Sequence, residues 1–194
     1  MKRMWMACVA IGATAVSVSA QQPAAPATPQ APPTFVAGMK RSWDNVKRNV
    51  SEAAEKMPEA NYGFKPTPDV RTFGELVGHI AASQYGTCAR AKGASGSPEA
   101  AAAEKATTKA DLVKALQGSI AACDEAFASL TDESAVKAIT AGQNQVIPAN
   151  LLWGNTSHSN EHYGNIATYL RLKNLVPPST ERTQKPAPKP TGAQ

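Results

Sequence analysis

Four stretches of the sequence keep their apolar residues three or four positions apart, which is the spacing of one face of an α-helix. They span residues 35–57, 72–93, 108–130 and 148–173. Sustained alternation of β-branched residues is missing from the sequence, as are the Asn-Gly and Asp-Gly pairs that mark tight hairpins. Four amphipathic helices in one domain predict an all-α fold, a four-helix bundle.

Residues at the predicted helix starts support these boundaries. Thr72 and Glu75 fit a capping box, and Thr108 fits a helix cap. Pro148 suits the first turn of the last helix. We expect a small-residue loop before Thr108, whereas residues 131–147 are long for a connection and should hold a short extra helix or cover one end of the bundle.

The chain ends differ in composition from the helical region. Lys2 and Arg3 precede a mostly apolar run that ends in Val-Ser-Ala, which is typical of a secretory signal. That run is shorter than the roughly 20 residues of a membrane span, so we expect a secreted or periplasmic protein without stable membrane insertion. The predicted organisation is a signal peptide at 1–20, a Pro/Ala-rich linker at 21–34, the bundle at 35–180 and a disordered Pro- and Lys-containing tail at 181–194.

Charge excludes one class of partner. Without Lys2 and Arg3, 18 basic and 15 acidic residues remain, and the basic ones are dispersed among the acids. Nucleic-acid binding needs basic residues gathered on one face, so we expect no nucleic-acid partner.

Cys88 and Cys123 permit two interpretations. An oxidising compartment favours a disulfide between them. In a simple antiparallel hairpin, however, the two positions would be offset by roughly two helical turns. Two separate buried apolar side chains are the alternative.

The three histidines of the chain give the strongest functional signal. At about 100° per residue, His158 and His162 lie on the inward face of the fourth helix, and His79 lies at the edge of the apolar stripe of the second. Two buried imidazoles need partners, and a metal ion satisfies both. Three histidines with one open position are typical of a catalytic site. The alternative is three separately hydrogen-bonded histidines.

Other residues near this pattern have weaker assignments. The segment from His158 to His162 matches the H-x-x-E-H pattern of inverted zinc peptidases, but the downstream acidic ligand of that class is missing. Glu161 points away from His162, which favours surface charge or an outer contact over a catalytic base. Asn155 and Tyr169, on the inward face, are candidates to orient a substrate. A haem bundle is disfavoured, since C-x-x-C-H does not occur.

Two segments resemble the DinB-like family of metal-binding four-helix bundles. They are HSNEHYGNIATYLRLKNLVPPS, with its H-x-x-x-H motif, and FGELVGHIAASQY, which contains His79. The resemblance covers residues 35–179 and implies a His-His-His site for a divalent metal at His79, His158 and His162. It also implies a homodimer and, in some members, a transferase or isomerase that uses a small thiol. Reduced thiols are scarce outside the cytosol, which argues against that last role in an exported member.

These observations predict an exported metalloprotein. We expect one divalent ion, with zinc or nickel as first candidates and iron as a further one. The predicted activity is a metal-dependent transferase or hydrolase that acts on an unknown small-molecule substrate, with no catalytic residue assigned. The alternative is a noncatalytic metal-binding or stress-related envelope protein.

Overall fold

The computed structural model describes residues 34–184 of the chain. A short 3₁₀ turn, Glu59–Asn61, lies between the first two helices. In chain order the elements are α1 Phe35–Lys56, α2 Phe73–Ala91, α3 Glu99–Lys105, α4 Lys109–Ala128, α5 Asp132–Val136, β1 Ile139–Ala141, β2 Asn144–Val146, α6 Pro148–Leu172 and α7 Pro178–Gln184.

The four long helices, α1, α2, α4 and α6, form the predicted bundle. α2 packs against both α4 and α6, and α1 packs against α6 and α4. Trp43 and Phe127 are buried between α1 and α4, with ring centroids 5.7 Å apart. The Trp43 indole also donates a 2.7 Å hydrogen bond to Asp124, which satisfies its polar atom where it reaches the edge of the core.

The predicted helix starts are confirmed. Thr72 and Glu75 form both bonds of a capping box, and Thr108 caps α4 through the backbone N–H of Asp111. Pro148 occupies the first turn of α6. Thr34, the last residue of the predicted linker, caps α1.

The connections contain more regular structure than the sequence indicates. Residues 99–105, expected as loop, form α3. The long segment 131–147 holds the expected short helix, α5, and also an antiparallel hairpin in which Ile139 pairs with Val146. The hairpin was missed because its strands have three residues each, too few for alternation to register. Gly142 turns it with φ +61, a conformation that glycine adopts without steric cost.

The last helix, α7, extends past the predicted end of the bundle at residue 180. α7 includes residues 181–184, which we expected in the tail; Lys56 of α1 pairs with Glu181, and Arg182 pairs with Glu52. These ion pairs fasten α7 to α1. The predicted signal peptide, the linker before Thr34 and the rest of the tail lie outside the described residues. Within residues 34–184, none of the helices combines the length and apolar character needed to cross a bilayer.

Cys88 of α2 and Cys123 of α4 form a disulfide, with an S–S distance of 2.00 Å and Cα atoms 5.0 Å apart. The offset expected for a simple hairpin is therefore wrong. α3 and its flanking loops separate α2 from α4, so no tight turn fixes the register between the two helices. Side-chain packing sets that register instead, and it places the two cysteines opposite each other.

Candidate metal centre

The three histidines meet where α2 packs against α6. The Nε2 atom of His158 lies 3.2 Å from Nε2 of His79 and 3.0 Å from Nε2 of His162. One ligand atom from each residue falls within 4.8 Å of the other two, so the three side chains could hold one metal ion. The three-histidine cluster predicted from the sequence is thus present in the fold.

Buried contacts on both sides of the cluster fix the two helices. Leu76 and Ile80, on either side of His79, are buried in the core, as are Leu152 and Ile166 on α6. The histidines therefore face each other because the apolar stripes of their helices face the same core.

A buried hydrogen-bond network next to the cluster fixes the positions of α2, α4 and α6 along one another. Gln84 of α2 donates to Ser159 of α6 at 3.2 Å and accepts from Ser119 of α4 at 2.8 Å. All three side chains are fully buried. A shift of either helix would break these bonds inside the core, where an unsatisfied polar group costs about 1 to 3 kcal/mol.

The spacing of the imidazoles fits a shared ion. Two nitrogens bound to one ion at 2.0 to 2.1 Å are about 2.9 Å apart at a right angle and about 3.4 Å apart at the tetrahedral angle. The observed separations of 3.0 and 3.2 Å fall between these values. Separate hydrogen bonding fits less well, because Nε2 of His158 contacts two nitrogens but has only one proton or one lone pair to offer in a neutral ring.

Electrostatics keeps the α6 histidines neutral. Burial, together with the neighbouring His158 and His79 rings and the Arg71 guanidinium, lowers the pKa of His162 to about 4. The pKa of His158 is lowered by burial and then by His79. Metals bind the neutral imidazole, so α6 presents its two histidines in the required form at neutral pH.

The Nδ1 atoms, on the far side of each ring, have different surroundings. Nδ1 of His79 lies 3.5 Å from a carboxylate oxygen of Glu104, and Nδ1 of His162 lies 3.4 Å from the side-chain amide of Asn165. Nδ1 of His158 is buried without a hydrogen-bond partner among the described residues. A carboxylate behind a histidine ligand orients the ring and increases its basicity, which gives Glu104 a role at the site.

Sequence reasoning missed Glu104 because it assigned residues 93–108 to a loop. Ser97 and Pro98 before an Ala-, Glu- and Lys-rich run are good helix-forming signals, and they could have indicated α3.

The other residues considered from the sequence lie as follows. Glu75 is engaged in the capping box, with its carboxylate accepting from Thr72 N at 2.7 Å. Glu161 is exposed. Asn155 is buried and its amide points to Cys123 Sγ at 3.7 Å, so it lies against the disulfide. Tyr169 donates to the backbone carbonyl of Arg71 at 2.9 Å.

A cavity of about 940 Å³ opens beside the cluster. Its walls come from the loop before α2, from the first turn of α2, from α3 and from α6. They include His162, Asn165, Thr168, Tyr169, Arg71 and Glu104. A small molecule in this cavity would contact one of the three histidines directly.

Comparison with solved structures shows the same fold. A DinB-like protein from Bacillus cereus has a TM-score of 0.61 at 17% identity, covering 73% of this chain and 94% of that one. YfiT from Bacillus subtilis, a probable metal-dependent hydrolase, has a TM-score of 0.56 at 16% identity, covering 79% and 97%. The mycothiol-dependent maleylpyruvate isomerase has a TM-score of 0.55 at 16% identity, covering 68% of this chain and 60% of that one.

Sequence comparison agrees with the fold. No curated protein sequence matches the chain. The model of the DinB superfamily matches residues 42–166, which include all three histidines and most of the bundle. By this match and the shared bundle, the chain belongs to the DinB superfamily.

Proposed function

We propose that the protein binds one divalent metal ion through His79, His158 and His162 and uses it outside the cytosol in a transferase or hydrolase reaction on a small molecule. The observation that carries the proposal is the convergence of three imidazoles at the edge of an open cavity. Among the structural neighbours, YfiT is described as a probable metal-dependent hydrolase, and another is a mycothiol-dependent maleylpyruvate isomerase.

The residues have distinct tasks in this proposal. The histidines hold the ion, for which zinc and nickel are the first candidates and iron a further one. When bound, a divalent ion there supplies Lewis acidity at neutral pH. Glu104 lies 3.5 Å from Nδ1 of His79, where its carboxylate favours a proton on Nδ1 and so leaves Nε2 of that ring to face the ion. Tyr169 holds the loop that forms one wall of the cavity.

Export is part of the proposal and has two supports. The first 20 residues have the pattern of a secretory signal. The disulfide between Cys88 and Cys123 is of a kind that is rare in cytosolic proteins, where thiols are kept reduced. Purification from a periplasmic fraction, with mass measurement of the new N-terminus, tests this part.

The decisive experiment is elemental analysis of the protein purified from the periplasm, beside single substitutions of each histidine to alanine. We expect about one equivalent of metal in the wild-type protein and its loss in all three variants. Glu161→Gln is the matched control, because Glu161 lies on α6 between two of the ligands and is exposed. Circular dichroism checks that each variant is folded. A wild-type protein that takes up no metal after reconstitution would refute the proposal.

A noncatalytic metal-binding protein is the second candidate. The exposure of Glu161 favours it, because this residue does not line the cavity and so does not provide the general base that hydrolysis needs. Screening the metal-loaded protein against esters, amides and thiol acceptors separates the two candidates. Turnover that disappears in His162→Ala supports the enzyme, whereas full metal occupancy without turnover supports the binding protein.

A further inference from the structure

The cavity beside His162 contains one cation whose hydrogen-bonding capacity is unused. Arg71 lines this cavity and is exposed, and among residues 34–184 its guanidinium has no hydrogen-bond partner and no carboxylate within ion-pair distance. After the hydrogen bonds from Thr72, the charge of Arg71 contributes to the lowered pKa of the nearby Glu75 carboxyl. An arginine offers five N–H donors in a planar fork that matches the two oxygens of a carboxylate. Arg71 can therefore give a bound carboxylate two parallel hydrogen bonds.

The backbone of Arg71 is fixed relative to the histidines. Its carbonyl accepts the 2.9 Å hydrogen bond from Tyr169, which is on the same helix as His162. The next residue, Thr72, caps α2, the helix that carries His79. The backbone at Arg71 is thus tied to both helices that hold the cluster, so its side chain starts from a fixed point beside the cavity.

The other charged groups of the cavity are already engaged, except for one. Glu75 accepts from Thr72 N, Lys65 donates to the carbonyl of Pro68 at 2.8 Å, and Glu104 faces His79. Asp69 is the remaining carboxylate and is exposed. Carboxylates outnumber cations among the lining residues, so the cavity has no net positive charge to attract an anionic ligand. Recognition of such a ligand depends instead on the free N–H donors of Arg71. This composition suits a ligand with a single carboxylate and disfavours polyanions such as nucleotides.

We infer that the substrate of this site is a small molecule with one carboxylate, which binds Arg71 while the reacting group of the same molecule faces the three histidines. The inference rests on the proposed function, since the reacting end is placed by the metal site. The cavity of about 940 Å³ is large enough for a ligand that reaches from Arg71 to His162, both of which line it.

Cobalt-loaded protein provides a test by binding alone. A thiol that ligates cobalt changes its visible absorption, so titration gives a dissociation constant without any assay of turnover. The probes are mercaptoalkanoates of two to six carbons and the mercaptoalkanols of the same lengths. We expect one of the acids to bind at least about tenfold more tightly than its alcohol, which is what a hydrogen-bonded charge contributes.

Two variants make the test specific. Arg71→Gln should remove the preference for the acid and leave the affinity for the alcohol unchanged. Arg90→Gln, at the far end of α2, is the matched control and should keep the preference. Equal binding of acid and alcohol by the wild-type protein would overturn the inference and leave the metal site intact, as would a preference that survives in Arg71→Gln. If cobalt does not bind, the proposed function fails and the inference fails with it. If cobalt binds but no thiol of either kind changes its spectrum, the inference fails and the metal site stands.

Discussion

Removing the Cys88–Cys123 disulfide should lower the stability of the bundle by an amount that the chain separation sets. The cross-link closes a loop of 35 residues between α2 and α4. In the chain-entropy model, a loop of this length reduces the entropy of the unfolded chain enough to stabilise the fold by about 4 kcal/mol at 25 °C. For a domain of this size, 1 kcal/mol corresponds to about 2 to 4 °C in melting temperature, so the midpoint should fall by about 8 to 16 °C.

The assay is thermal unfolding followed by circular dichroism in metal-free protein, with and without a phosphine reductant. Reduced wild-type protein and the double variant Cys88→Ala, Cys123→Ala should both melt lower than the oxidised protein. Adding reductant to the double variant should change nothing, which controls for effects of the reagent. A difference under about 3 °C between oxidised protein and both other forms would refute the entropic argument, because the unfolded chain would then gain no freedom from losing the cross-link.

Three further predictions concern the site and its support. Glu104→Gln should weaken metal binding about tenfold in a chelator competition. This is the lower end of the loss in affinity that removing a group behind a metal ligand causes, because the Glu104 side chain is half exposed. Unchanged affinity would remove its proposed role. Because the pKa of His162 is lowered to about 4, protons on this ring should compete with the metal only as the pH falls toward that value; a tenfold loss of affinity between pH 8 and 7 would contradict this. In urea unfolding, Gly78→Ala should destabilise the protein by about 1 kcal/mol, because the new Cβ would lie 2.8 Å from a backbone carbonyl of α3. Gly86→Ala lies on the same helix and its Cβ would have nothing within 4 Å, so it should stabilise the protein by up to about 1 kcal/mol.

The long helices and the histidine cluster could be predicted from the sequence because they depend on local patterns. The apolar spacing of residues 148–173 fixes which face of α6 enters the core, and His158 and His162 belong to that face. His79 follows from the same argument applied to α2. The inward faces of α2 and α6 share one core in a bundle of four helices, so the three imidazoles on these faces are expected to lie close together.

The outer part of the site depends on contacts between elements, which local patterns do not reveal. α3 has a single buried residue, Ala103, so it has no apolar face that periodicity could detect. It is held because Gly78 of α2 lets the carbonyl of Ala103 approach the helix backbone. The disulfide between Cys88 and Cys123 also depends on a contact between elements, because it requires a particular offset of α4 along α2.

Gly78 marks the point where the backbones of α2 and α3 come into close contact. Any side chain at Gly78 would push α3 away, and Glu104, which follows Ala103 directly, would move with it. Glu104 is the carboxylate that faces Nδ1 of His79, so a glycine next to a candidate metal ligand sets the position of the group behind that ring. The bundle core and the candidate metal centre are thus joined through one close backbone contact, and the packing of α3 contributes to the chemistry of the site as well as to stability.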